Sequence, residues 1–219
     1  MTDPAAVTAT AATYDRIAAD YQRLNADPPA QLTDFRSAFT SAVGAGGRVA
    51  DLGCGPGRDA AHFTTAGLSV IGVDASPQMA ALTRVAGVAV VVADIRAVPL
   101  APGCLDGIWS AASLLHIPSE DVDSTLAGWA GCLRPGGVLG LSTSLGSGAG
   151  WDDGWPPRTD PGSATRAAEG LRRWFVHHRR EPLLRAISEA GFRVTTVETS
   201  VSHRTWLTVL ARTPTAQPS

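Results

Sequence analysis

Apolar positions along the chain follow two spacings. From Thr13 to Asn25, Tyr14, Ile17, Ala18, Tyr21 and Leu24 recur every three or four residues, which predicts an amphipathic helix. Leu32, Phe35 and Phe39 repeat that spacing from Ala30 to Val43; Pro28 and Pro29 open this second helix and Gly44 to Gly47 end it. The pattern then changes to short apolar runs of buried-strand type: Val49–Leu52, Leu68–Val73, Val88–Val92, Leu105–Ser110 and Val138–Leu145. Helical stretches fall between them, at Arg58–Ala66, from Pro77 to about Val85, and at Ser119–Leu133; another follows at Pro182–Ala190. Ser76 before Pro77 suits an N-cap followed by the first helical position. Phe192–Thr199 and His203–Arg212 read as a terminal hairpin. Alternating strands and helices, then two strands without a full helix between them, predict an α/β fold: a mostly parallel sheet with an antiparallel hairpin at one edge.

Three stretches lie outside this rhythm. Residues 1–12 are rich in Ala and Thr and read as disordered. Residues 146–170 are rich in Gly, Pro and Asp and carry Trp151 and Trp155, a long loop of the functional or mobile kind. Arg172 to His178 fits a short strand or a continuation of that loop. A loose Pro/Ser tail closes the chain at 213–219. With neither internal repeat nor linker, the expected organisation is one domain over 13–212. Its helices at 13–43 and its loop-rich insertion at 146–178 stand outside the strand–helix core.

Composition narrows the classes. The length, 219 residues, suits one domain with a sizeable core. A net charge of −2 and an isoelectric point near 6.2 give no electrostatic reason to expect nucleic acid. All 18 basic residues are Arg, a bias of composition rather than chemistry. Cys54, Cys104 and Cys132 show neither a disulfide framework nor metal-ligand spacing, so no metal is expected. Without a signal-peptide pattern or a membrane-length apolar run, the expected compartment is a reducing cytoplasm.

The candidate chemistry gathers at the ends of successive strands. Val49–Leu52 runs into Gly53, Gly55 and Gly57 and then a helix, the opening unit of a nucleotide-binding sheet. The dinucleotide fingerprint needs its third glycine at position 58, where Arg58 stands; the pattern present is Asp-x-Gly-x-Gly-x-Gly from Asp51. The second strand ends in Asp74, 17 residues beyond Gly57, where a carboxylate can accept two ribose hydroxyls or cap the following helix. Asp94 and Ile95 close the third strand, and Ser110 and Ala111 the fourth. In open α/β sheets, ligands bind outside these carboxyl ends.

This set resembles class I S-adenosylmethionine (SAM)-dependent methyltransferases. The resemblance rests on the glycine motif, Val70 to Met79, Leu105 to Ser110, Leu114 to Pro118, Leu133 to Gly137 and Ala190-Gly191-Phe192, and spans about 13–212. It implies a Rossmann-like seven-stranded sheet with helices on both faces and the last strand inserted antiparallel. It implies SAM as cofactor and S-adenosylhomocysteine as product. Asp51, Gly53, Cys54, Gly55, Gly57 and Arg58 would belong to the cofactor site, with Cys54 a small buried residue rather than a nucleophile and Arg58 either meeting the cofactor carboxylate or starting the helix exposed. Asp74 falls at the ribose, with Ala75, Ser76 and Met79 in the same cofactor site, Asp94 and Ile95 at the adenine, and Ser110 and Ala111 beside the sulfonium. Tyr14 matches a tyrosine that closes over the cofactor, or else packs in the core. His116 is the candidate general base, or else a structural histidine of its loop; His177 and His178 lie near enough in sequence to the Trp-rich loop for one to face the acceptor. The implied reaction is in-line displacement onto a small-molecule acceptor, by a monomer or homodimer. The Asn/Asp-Pro-Pro-Tyr/Phe signature of nucleobase amine methylation is missing after the fourth strand. A non-catalytic SAM-binding module and a nicotinamide-dependent reductase are the alternatives.

Overall fold

The computed structural model describes residues 5–152, 171–202 and 204–215. Seven strands form the main sheet: β1 (Arg48–Leu52), β2 (Ser69–Asp74), β3 (Ala89–Val92), β4 (Leu105–Ala111), β5 (Leu133–Leu145), β8 (Arg193–Val201) and β9 (Thr205–Arg212). Their order is β3-β2-β1-β4-β5-β9-β8, with β9 antiparallel to both neighbours and the remaining pairs parallel. The order reverses between β1 and β4, which opens a crevice at their carboxyl ends. Arg134 to Gly137 lies inside β5, where the register with β4 shifts between the pairs Leu105↔Leu133 and Gly107↔Val138.

Strand residues alternate between two apolar layers, as a sheet covered on both faces requires. Ile108, Leu139 and Leu141 face α5 (Val122–Cys132) and α6 (Arg180–Glu189), meeting Leu126, Trp129, Leu183 and Ile187. Val49, Trp109 and Val138 face the opposite layer with Phe35 and Phe39 of α2 (Ala30–Val43) and Phe63 of α3 (Arg58–Thr65). Trp109 is fully buried, with the rings of Phe35, Phe39 and Phe63 at 4.8, 5.1 and 5.1 Å. A fifth helix, α4 (Pro77–Val85), is capped by Ser76, whose hydroxyl accepts the Met79 amide at 3.1 Å.

Two features depart from the sequence reading. The first helix, α1, runs from Ala5 to Leu24, so residues 5–12 are helical where disorder is expected; residues 1–4 lie outside the described residues. Tertiary contact explains the order: Ala6 and Thr10 are buried, and an Ala/Thr helix this weakly apolar is stabilised mainly by its docking. Second, the stretch from 146 onward contains a hairpin, β6 (Ala149–Asp152) paired antiparallel with β7 (Arg173–Val176). That settles Arg172 to His178 as chiefly strand, with Trp151 opposite Trp174. Trp155 and the rest of 153–170, like 216–219 of the expected tail, lie outside the described residues.

Candidate functional site

A pocket opens at the carboxyl ends of β1, β2 and β4, under α1. Its floor is the turn after β1. Gly53, at φ 75°, lies against the Ser113 side chain, where a β-carbon would stand 2.2 Å from Oγ. Gly55, at φ 54°, has no atom within 4 Å of a β-carbon's position and lines the pocket. The backbone is therefore bare toward the cavity. Gly57 begins α3 packed on Thr83 of α4 and faces the protein rather than the pocket.

Asp74 holds this floor in shape. Its Oδ2 accepts the Gly55 amide at 2.8 Å and its Oδ1 accepts the Ser76 amide at 2.9 Å. Burial pushes its carboxyl above the usual range, against the pull of those two amides. Ala75, Met79 and Ile95 add apolar wall to the same pocket. Asp51 is 2% exposed, and its Oδ2 has no partner among the described residues. Burial and the carboxylates of Asp59 and Asp74 hold its carboxyl well above the usual range, with Arg58 opposing. Asp94 lines the pocket, but its carboxylate is already engaged: Arg96 donates from Nε at 2.9 Å and Nη2 at 2.7 Å, and from its amide at 2.8 Å.

Other expected residues stand behind the wall. Ser110 is fully buried, and the pocket begins at Ala111, because Ser110 points into the layer opposite Trp109. Cys54 is buried, its sulfur 3.5 Å from the Thr83 hydroxyl and its thiol pushed upward by burial. Ser76 caps α4. Arg58 donates to Asp59 at 2.9 and 3.2 Å and to the Asn25 carbonyl at 3.2 Å, and is turned away from the pocket lining.

The roof comes from α1, including the stretch read as disordered: Val7, Thr10, Ala11 and Tyr14 face the cavity. Thr10 Oγ1 accepts the Trp174 amide at 2.9 Å and Thr13 Oγ1 donates to the Arg172 carbonyl at 2.7 Å, tying α1 to β7. Asp15 ties it to α4, accepting the Ser76 hydroxyl at 2.6 Å and the Gln78 amide at 3.0 Å. No sequence pattern marks Asp15, because its partners are 61 and 63 residues away. Asp15→Ala is expected to cost about 1 kcal/mol of stability, the loss of a cap, and to speed amide exchange through residues 5–24 more than in the sheet. Equal exchange in variant and parent would show that the Asp15 contacts do not hold the roof.

Tyr14 and His116 meet across the pocket. The Tyr14 oxygen lies 2.9 Å from His116 Nε2, and His116 Nδ1 lies 2.6 Å from the Trp174 carbonyl oxygen. His177 lies elsewhere, its Nδ1 3.2 Å from the Ser144 hydroxyl, and His178, between β7 and α6 in the chain, is buried with its amide donating to the Ser144 carbonyl. Among the described residues, no group of His, Cys, Asp and Glu is arranged to hold a metal ion. None of the described helices is long and apolar enough to cross a membrane.

Residues 49–137 match a protein family described as a methyltransferase domain. A malonyl-acyl-carrier-protein O-methyltransferase of Enterobacter lignolyticus is 39% identical over 99 residues, covering 44% of this chain. The chain thus spans only 38% of that relative's length. Among solved structures, the 1,6-didemethyltoxoflavin-N1-methyltransferase of Burkholderia thailandensis, bound to its substrate and S-adenosylhomocysteine, superposes with a TM-score of 0.69 at 21% identity. That match covers 98% of this chain and 93% of the other. The 4+2 cyclase SpnF superposes with a TM-score of 0.65 at 21% identity, covering 85% of this chain and 82% of the cyclase. The glycine motif thus lies inside a segment that matches a methyltransferase domain, and the seven-stranded sheet around it is the fold of these solved structures.

Proposed function

We propose that this protein transfers a methyl group from SAM to a small-molecule acceptor. The observation that carries the reading is the floor of the pocket: bare backbone at Gly55, held by the Asp74 carboxylate, at the point where the strand order reverses. The residues fit the cofactor. Each Asp74 oxygen accepts one amide and keeps a lone pair for a ribose hydroxyl. Asp51, two residues ahead of Gly53, is buried and outside the pocket lining, and its Oδ2 has no partner among the described residues. Ile95 and Met79 offer an apolar slot for a purine. The Asp94 carboxylate would receive the adenine amine only by sharing its oxygens with Arg96. When bound, SAM supplies an electrophilic methyl group on a positively charged sulfur. The chain then positions an acceptor in line with it under α1 and keeps water out. Cytoplasmic location, a monomer or homodimer, and action on free small molecules rather than nucleic acid complete the reading.

A second reading keeps the cofactor pocket without methyl transfer, and the shared fold of the 4+2 cyclase favours keeping it in view. Calorimetry with SAM, S-adenosylhomocysteine and NAD, followed by assays on a panel of phenols and N–H heterocycles, separates these. We expect micromolar binding of the first two, none of NAD, and methylated product. Micromolar NAD binding without SAM binding would falsify the assignment; SAM binding without turnover of any acceptor would favour the second reading.

A further inference from the structure

We infer that Tyr14 and His116 act as one proton-accepting pair, Tyr14 touching the acceptor and His116 acting through Tyr14. The acceptor is then a neutral O–H or N–H compound that loses its proton as it is methylated. This inference rests on the methyl-transfer reading.

The hydrogen bonds assign the protons. A carbonyl oxygen only accepts, so the Trp174 carbonyl at 2.6 Å requires a proton on His116 Nδ1. Burial pulls the imidazole down to about 4, reinforced by Arg173 and Arg204 and opposed by the Trp174 carbonyl and Asp152. A neutral ring protonated at Nδ1 has a lone pair at Nε2, and the Tyr14 hydroxyl at 2.9 Å donates to it. Burial, with Tyr21 and Asp74 adding and Arg173 opposing, pushes the Tyr14 hydroxyl upward, so it keeps its proton. His116 therefore cannot serve as the base directly, because its lone pair is taken. The Tyr14 oxygen accepts a hydrogen bond from the Arg173 side chain while it donates to His116, and its remaining acceptor capacity can serve.

The surroundings fix this geometry. Phe175 stands edge-on to His116 at 4.8 Å, and Tyr21 edge-on to Tyr14 at 5.4 Å. The Arg173 guanidinium lies 5.7 Å from the Tyr14 ring centre, and Arg204 lies 4.4 Å from that of Phe175. Asp152 pairs with both arginines, at 3.5 and 3.0 Å. Tyr14 and His116 share their cavity with Asp74, Gly55 and Ala111, so the pair faces the proposed cofactor cradle.

The charge balance explains why a histidine this hard to protonate suits the task. As the acceptor heteroatom gains the methyl group, the carbon–sulfur electron pair stays on sulfur. The acceptor's proton passes to the Tyr14 oxygen, and the Tyr14 proton passes to Nε2. One positive charge disappears from sulfur as another appears on His116, so the pocket's net charge is unchanged. Before transfer, a further cation beside Arg173, Arg204 and the sulfonium is unfavourable, and the pair stays neutral and ready.

The test uses the full-length chain and its variants Tyr14→Phe and His116→Gln; the glutamine oxygen can accept from Tyr14 but takes no proton. Nitrogen-15 NMR of the S-adenosylhomocysteine complex should show His116 protonated at Nδ1 and neutral down to pH near 4. Single turnovers with SAM and phenols of graded acidity should be nearly independent of pH for the wild type. In both variants they should fall at least about 100-fold for the least acidic phenols, the scale of general-base catalysis. The variants should gain about tenfold per pH unit as the phenol ionises unaided, while S-adenosylhomocysteine affinity changes less than about threefold. Circular dichroism checks that both variants fold. A proton on Nε2, or variants with weakened cofactor affinity but undiminished single-turnover rates, would overturn the pair and leave methyl transfer standing. No binding of SAM by the wild type would overturn both.

Discussion

Replacing Asp74 by alanine is expected to lower SAM affinity at least about tenfold. The carboxylate offers two charge-assisted hydrogen bonds to a ribose, each contributing about 1.5–3 kcal/mol. Water entering the truncated site recovers part of that, which makes tenfold a floor. The geometry adds a second loss. The same oxygens accept the amides of Gly55 and Ser76, so alanine leaves two half-buried donors without their acceptor. Each such donor costs about 1–3 kcal/mol unless solvent replaces the partner. The variant should therefore lose stability in urea along with affinity. Asp74→Asn divides the two effects: its single oxygen keeps one amide, but its NH₂ group faces the other donor. Calorimetry and urea unfolding on parent and both variants measure them. An Asp74→Ala protein that is destabilised yet binds SAM unchanged would show that the carboxylate only holds the turn.

The strand–turn–helix frame was legible because its signals are local. Val49 to Leu52 is buried at every position because both faces of β1 are covered, only Asp51 interrupts its apolar run, and the glycines follow at once. Ser76 and Pro77 announce α4 within two residues. The roof was not legible. Residues 5–12 offer Ala and Thr, which carry little periodic signal, and their order comes from Thr10 meeting the Trp174 backbone 164 residues away. The β6–β7 pairing suffered likewise: two strands of four residues, each with one Trp, resemble a loop until they pair with each other.

Within the site, sequence located the strand ends but not the direction of each side chain. Alternation along β4 sends Ser110 to the interior while Ala111 reaches the pocket. Asp94 was placed at the pocket, but its capture by Arg96 depends on rotamers that spacing does not specify. His116 was singled out for its imidazole; that its lone pair is occupied depends on Tyr14, 102 residues earlier in the chain. Asp59, in the first turn of α3, accepts four side-chain hydrogen bonds from Arg36, Arg58 and Trp109, partners that its place in the helix does not reveal.

Asp59→Ala is expected to destabilise the fold by about 3–5 kcal/mol, the cost of stranding a buried charge. Its Oδ1 accepts Arg36 Nη1 at 3.2 Å and Arg58 Nε at 2.9 Å; its Oδ2 accepts Arg58 Nη2 at 3.2 Å and Trp109 Nε1 at 3.1 Å. The side chains of Arg36 and Asp59 are 7% and 8% exposed, so water cannot easily take the lost partner's place. Arg58, at 26%, can turn outward; Arg36 cannot. At about 2–4 °C per kcal/mol for a chain of this size, the melting temperature should fall by roughly 6–20 °C. Removing the stranded cation as well should recover much of the loss, so Asp59→Ala with Arg36→Leu should melt above Asp59→Ala alone. Below the transition, SAM affinity should change little, because Asp59 lies beside Trp109 in the aromatic layer rather than at the pocket wall. Scanning calorimetry on the three proteins settles the point: a single variant melting within about 2 °C of the parent, or a double variant melting lower still, would show that Arg36 is solvated or partnered without Asp59.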